Sequence, residues 1–122
     1  MSDQKLIFHV EDNPDNRLLV RRLLTAFGYE VVEAENAKQA LEVLKTLQPD
    51  LILMDMIMPK KGGREAYEEI RALRPEARVL FSSGYSPEFI ESRGGLGTGL
   101  DLLTKPVHPL DLLRKVREIL DR

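Results

Sequence analysis

Apolar residues recur along the chain in two alternating rhythms. Leu6 to Val10, Glu30 to Ala34, Leu51 to Met54, Val79 to Ser82 and Leu100 to Thr104 are short runs. They read as strands: Lys5 to Val10 as a buried one, Val31 and Val32 as a short second, and Leu51 to Met54, the most apolar, as the central one. Between them the spacing changes to that of helices. Val20, Leu23, Leu24 and Phe27 fall at i, i+3, i+4 and i+7, with Asn13 as N-cap, Pro14 in the first turn and Gly28 as the stop. Asn36 caps a second helix whose inner face is Ala37, Ala40, Leu41, Leu44 and Leu47 before Pro49. A third carries Ala66, Tyr67, Ile70 and Leu73 and ends at Pro75. Ser86 and Pro87 start a short helix through Phe89 and Ile90, which gives way to Gly94, Gly95, Gly97 and Gly99. Pro109 opens the last, with Leu112, Leu113, Val116, Ile119 and Leu120 inward. Lys38 with Glu42, Asp111 with Lys115 and Arg114 with Glu118 have the spacing of i,i+4 pairs on the outer faces.

This alternation predicts an α/β fold: a doubly wound parallel sheet with helices on both faces. Right-handed crossovers restrict the topology, but periodicity alone does not choose the strand order. At 122 residues, with no linker or repeat, residues 1–122 read as a single domain able to bury a core. A net charge of -2 gives no reason to expect nucleic acid as the main partner. The absence of cysteine excludes a disulfide scaffold, a thiolate metal site and thiol catalysis. The first residues lack the apolar stretch of a signal peptide and no run reaches membrane-spanning length, so a cytoplasmic protein without membrane contact is expected.

Reactive side chains gather at the ends of the strand runs. Glu11 and Asp12 follow the first, Asp55 the third, Ser83 the fourth and Lys105 the fifth. Singly, each reads as a turn former, a helix cap or a solvated residue. Together, on parallel strands, they share the carboxyl edge of one sheet, where open α/β sheets place their ligands. Crowded carboxylates repel, and a hard divalent cation such as Mg²⁺ relieves the repulsion. One carboxylate is then free to attack phosphorus in line, and Asp55, alone on the central strand, is the best acceptor. Lys105 supplies a second positive charge, and the Ser83 hydroxyl can donate to an arriving phosphoryl oxygen. His9 reads as a core strand residue and His108 as a helix cap, not as a zinc pair.

Glu11-Asp12, Asp55 with Met58-Pro59, Ser83-Gly84 and Lys105-Pro106, at these spacings, resemble the receiver domain of two-component response regulators over essentially the whole chain. Val10 to Asn13 with Asn16-Arg17, Ser83 to Ser86, and Leu103 to Val107 look most like receivers of hybrid sensor histidine kinases. The resemblance implies a flavodoxin-like (βα)5 fold with a five-stranded sheet in order 2-1-3-4-5, an order that general accounts of α/β folds themselves illustrate with a chemotaxis receiver. It implies Mg²⁺ held by Glu11 or Asp12, Asp55 and the backbone carbonyl of Ile57, with phosphate arriving from the phosphohistidine of a histidine kinase or histidine phosphotransfer protein. It also implies a cis peptide at Lys105-Pro106. Similar receivers meet their phosphodonor with the first helix, here Asp15, Leu18, Leu19 and Arg22, and the loop of Pro106, Val107 and His108.

Two departures from the family pattern change the expectation. Leu102 replaces the aromatic switch residue three positions before the lysine, and the fourth helix is short and followed by glycines. The response should therefore concentrate in the loop from Ser83 to Gly99, and the chain should be a monomer. Ile57 and Tyr85 would flank the phosphoryl group without holding an attacking water, which favours a long-lived acyl phosphate. The reading is a phosphorylation-controlled switch, not an enzyme with external turnover. An aspartate-nucleophile phosphatase would want a second acid at Ile57; a receiver degenerate in its site would lack the intact set; a flavin protein would need a hydroxyl-rich phosphate loop after the first strand.

Overall fold

The computed structural model describes residues 4–55, 63–83, 101–104 and 108–121. The apolar runs form strands β1 (Leu6–Val10), β2 (Glu30–Ala34), β3 (Leu51–Asp55), β4 (Val79–Ser83) and β5 (Asp101–Thr104). The periodic segments form helices α1 (Pro14–Ala26), α2 (Ala37–Leu44), α3 (Gly63–Leu73) and α4 (Pro109–Leu120). Residues 84–100, which include the expected helix from Ser86, lie outside the described residues.

The helix ends follow from local chemistry. Asn13 accepts from the backbone N–H groups of Asp15 and Asn16, at 2.8 and 3.1 Å, and Asn36 accepts from that of Gln39 at 2.8 Å. These bonds satisfy donors that a helix start leaves unmet. At the far end of α1, Gly28 adopts φ 91°, the left-handed region that glycine enters at no steric cost. Gly28 N–H donates to Thr25 O and Tyr29 N–H to Leu24 O, both at 3.1 Å, which completes a Schellman turn. This turn corrects one expectation: Phe27 leaves the apolar stripe and is 62% exposed, while Tyr29 tucks into the core.

All strand pairings are parallel, in the order β2-β1-β3-β4, with β5 along the outer edge of β4. Alternation along the strands divides the core in two. Phe8, Val10, Ile52, Met54 and Phe81 pack with Ala37, Ala40 and Leu44 of α2 and Ile70 of α3. Ile7, Leu51, Leu53 and Leu80 pack on the other face with Leu24 of α1 and Leu112, Val116 and Ile119 of α4. Each fully buried side chain of this size contributes about 1.5–3 kcal/mol, so the two layers hold the central strand from both sides. Every residue of β3 is buried, as its unbroken apolar run predicts.

The outer ion pairs differ in partner from those expected. Glu42 pairs with Lys45 at 2.9 Å, Asp111 with Arg114 at 3.8 Å and Glu118 with Lys115 at 3.4 Å, all at i,i+3. Both spacings bring side chains together on a helix surface, and exposed pairs differ by too little for spacing alone to choose.

Candidate functional site

Register builds the site. Val10 is level with Met54 in the β1–β3 pairing, so the next residue of each strand, Glu11 and Asp55, stand side by side at the carboxyl edge. Asp12 follows in the loop. Asp55 is level with Ser82 across the β3–β4 pairing, which puts Ser83 one residue farther along the same edge, and Ser83 is level with Thr104 of β5. Glu11 and Asp55 are buried, at 3% and 7% exposure, whereas Asp12 is exposed.

One carboxylate oxygen from each of Glu11, Asp12 and Asp55 lies within 4.8 Å of the others. At that separation, with an effective dielectric near 20, each pair of like charges repels by about 3 kcal/mol. An all-oxygen anionic set of this kind fits a hard divalent cation and not a soft one. Ile57, whose carbonyl was expected to join the set, and Lys105 lie outside the described residues, as do Met58-Pro59, Tyr85, Pro106 and Val107.

The loop that carries the acidic pair is tied on both sides. Glu11 N–H donates to Ala34 O of β2 at 3.0 Å, and Asn13 N–H donates to Glu11 Oε2 at 3.3 Å. Arg17, one turn into α1, donates from Nη1 to the Glu11 carbonyl at 2.7 Å and places Nη2 3.7 Å from Glu35 Oε1. Leu18 and Leu19 project outward from α1, the latter 69% exposed. His108 caps α4, its Nδ1 accepting from Leu110 N–H at 3.2 Å, and His9 is buried within β1, as their positions in the sequence suggest.

Residues 7–117 match the family described as the response regulator receiver domain. The chain belongs to that family. This receiver is 31% identical to the chemotaxis protein CheY of Bacillus subtilis over 116 residues, covering 94% of this chain and 97% of that protein. Its fold is similar to the crystal structure of the receiver domain from the hybrid histidine kinase CckA (TM-score 0.79, 33% identity, 94% of this chain and 98% of that one). It is equally similar to the receiver of a sensor histidine kinase from Pseudomonas aeruginosa PAO1 (TM-score 0.80, 29% identity, 98% and 99% covered). That structure holds a magnesium ion in its active-site cleft. The flavodoxin-like fold and the place of the receiver in two-component signalling follow from the family. Among the described residues, no helix is long and apolar enough to cross a membrane.

Sequence reasoning found the three carboxylates because each ends an apolar run. It noted Arg17 only as a point of resemblance. A side chain reaching a carbonyl six residues back has no periodic signature, and the one available hint was an arginine in the first turns of a helix that follows an acidic pair.

Proposed function

We propose that this receiver is the phosphoacceptor switch of a two-component phosphorelay, with Asp55 as the acceptor. The observation that carries the reading is the meeting of the Glu11, Asp12 and Asp55 carboxylates within 4.8 Å at the edge of the sheet. The donor is the phosphohistidine of a histidine kinase or histidine phosphotransfer protein. An Asp55 carboxylate oxygen attacks phosphorus, the P–N bond breaks, and its electron pair returns to the imidazole, which takes a proton from water. The product is an acyl phosphate on Asp55, and residues 1–122 act as one domain in the exchange.

Glu11, Asp12 and Asp55, with the Ile57 carbonyl, would hold Mg²⁺, and the ion when bound supplies charge neutralisation to the transferring phosphoryl group. Lys105 provides a second positive charge, and the Ser83 hydroxyl donates to a phosphoryl oxygen. A phosphoryl group adds about -1.5 to -2 charge at neutral pH. Drawing Ser83 and Lys105 toward that charge reshapes the surface around the strand ends, which is the output of the switch. Phosphoryl uptake and loss are the domain's own chemistry, and no external substrate is turned over.

Intact mass after incubation with acetyl phosphate tests the assignment. The unsubstituted protein should gain one phosphoryl group only when Mg²⁺ is present, and Asp55→Asn should gain none. A gain that survives Asp55→Asn would move the acceptor elsewhere.

A further inference from the structure

The peptide between Glu11 and Asp12 is the one backbone unit that belongs to both members of the acidic pair. Its carbonyl oxygen receives the 2.7 Å bond from Arg17 Nη1. Because a peptide unit is planar, holding that oxygen restricts the placement of the Cα atoms on both sides of it, from which the two acidic side chains leave the chain. The preceding peptide is tied to the sheet through Glu11 N–H and Ala34 O. Thus one side of Glu11 is anchored by the sheet, and the other receives a side-chain bond from Arg17.

Arg17 is built for that task. Its side chain is 16% exposed, and its second nitrogen faces Glu35, which lies just beyond β2. The guanidinium therefore links α1, the acidic loop and the segment after β2. A planar fork makes both contacts in a fixed geometry, which the compact ammonium of a lysine on its flexible stem does not match. Glu35 also offsets part of the positive charge that Arg17 brings close to the carboxylates.

We infer that Arg17 is a positioning residue for the cation site: it sets the plane of the Glu11–Asp12 peptide so that the acidic pair and Asp55 converge. This rests on the proposed Mg²⁺-dependent function. Residues that orient metal ligands from behind are worth about 10–100-fold in metal affinity when removed. A rival role for Arg17 is that of a built-in counter-ion, which would compete with the metal; its removal would then strengthen binding. The two roles predict opposite signs for Arg17→Ala and different outcomes for Arg17→Lys, which keeps the charge and loses the fork.

The test is a Mg²⁺ titration of the unsubstituted chain, Arg17→Ala and Arg17→Lys, followed by amide NMR shifts at a temperature where thermal melts show all three folded. Amide exchange of Asp12 and Asn13 is measured beforehand without metal. Both variants should need about tenfold more Mg²⁺ for half-saturation. Both should exchange faster at Asp12 and Asn13. Tighter binding by Arg17→Ala, or unchanged binding in both variants, overturns the positioning role while leaving the metal site intact. Failure of the unsubstituted chain itself to take up Mg²⁺ overturns the metal reading and this inference together. Should Arg17→Ala not fold, Arg17→Lys decides alone.

Discussion

The two ends of β3 each carry an aspartate, and the two are used in opposite ways. Asp50, just before the strand, is exposed, and its Oδ2 accepts from Leu6 N–H at 2.7 Å while its own N–H donates to Leu6 O at 2.8 Å. Asp55, the last residue of the strand, is buried within 4.8 Å of two other carboxylates. At the amino edge, charges serve as ties: Arg78 Nη1 likewise donates to the Ile119 and Leu120 carbonyls of α4 at 3.1 and 3.2 Å. At the carboxyl edge they are gathered with like charges. The difference is one of use: charges at the amino edge tie backbone ends together, whereas those at the carboxyl edge converge on one another.

The contrast can be broken most directly at Asp50. Asp50→Ala should destabilise the protein by about 1.5 kcal/mol, because a backbone donor loses a charged acceptor. A chemical-denaturation midpoint unchanged from the unsubstituted protein would show that Asp50 is no tie. Substitution at the other end should have the reverse sign. Asp55→Asn removes one of three repelling charges and should stabilise the metal-free domain by about 1 kcal/mol, the gross Coulomb relief being reduced by bonds the carboxylate also loses. Adding Mg²⁺ should raise the melting temperature of the unsubstituted protein more than that of Asp55→Asn. Thermal melts of both, with and without the ion, check the sign and the linkage together.

The smallest effect sharpens what a solvated charge is worth. The Lys45 ammonium bonded to Glu42, and secondarily its charge, holds the Glu42 carboxyl below its ordinary value of 4.5. A depressed folded value means a contribution fully present above the ordinary value and lost as pH falls through the folded one. The melting-temperature difference between the unsubstituted protein and Glu42→Gln should therefore be small at neutral pH and shrink in acid. High salt should shrink it too, because both partners are solvent-exposed. A difference that grows on acidification would reverse the assignment.

How much of this was legible beforehand depended on the range of the interaction. Asn13, Asn36 and Gly28 announced helix ends because a cap acts within a few residues of itself. The solid run Leu51 to Met54 announced a strand covered on both faces, and the residues after the runs announced the edge where Glu11 and Asp55 meet. Phe27 was misread because it is the C-cap, one residue past the end of α1, where the chain turns out of the helix toward Gly28. The ion pairs on α4 were misassigned because two spacings compete within a fraction of a kcal/mol, and on α2 Lys38 acts on Glu42 as a charge beside the bond from Lys45. Arg17 was undervalued because its partner is a backbone oxygen, and a sequence does not display which carbonyls face inward. Ile57, Tyr85, Lys105 and the glycine-rich stretch belong to residues 56–62, 84–100 and 105–107, outside those the structure describes.

The β1–β3 pairing also has a consequence for how the chain comes together. β1 finds β2 close by in the sequence, but its other neighbour starts 44 residues after Ile7, at Leu51. During synthesis the inner side of β1 stays open until that segment emerges, and loop closure over such a distance is slow. That docking brings Asp55 up against Glu11 and Asp12. Three carboxylates are thus brought together as β3 docks, and salt, by screening them, should speed refolding.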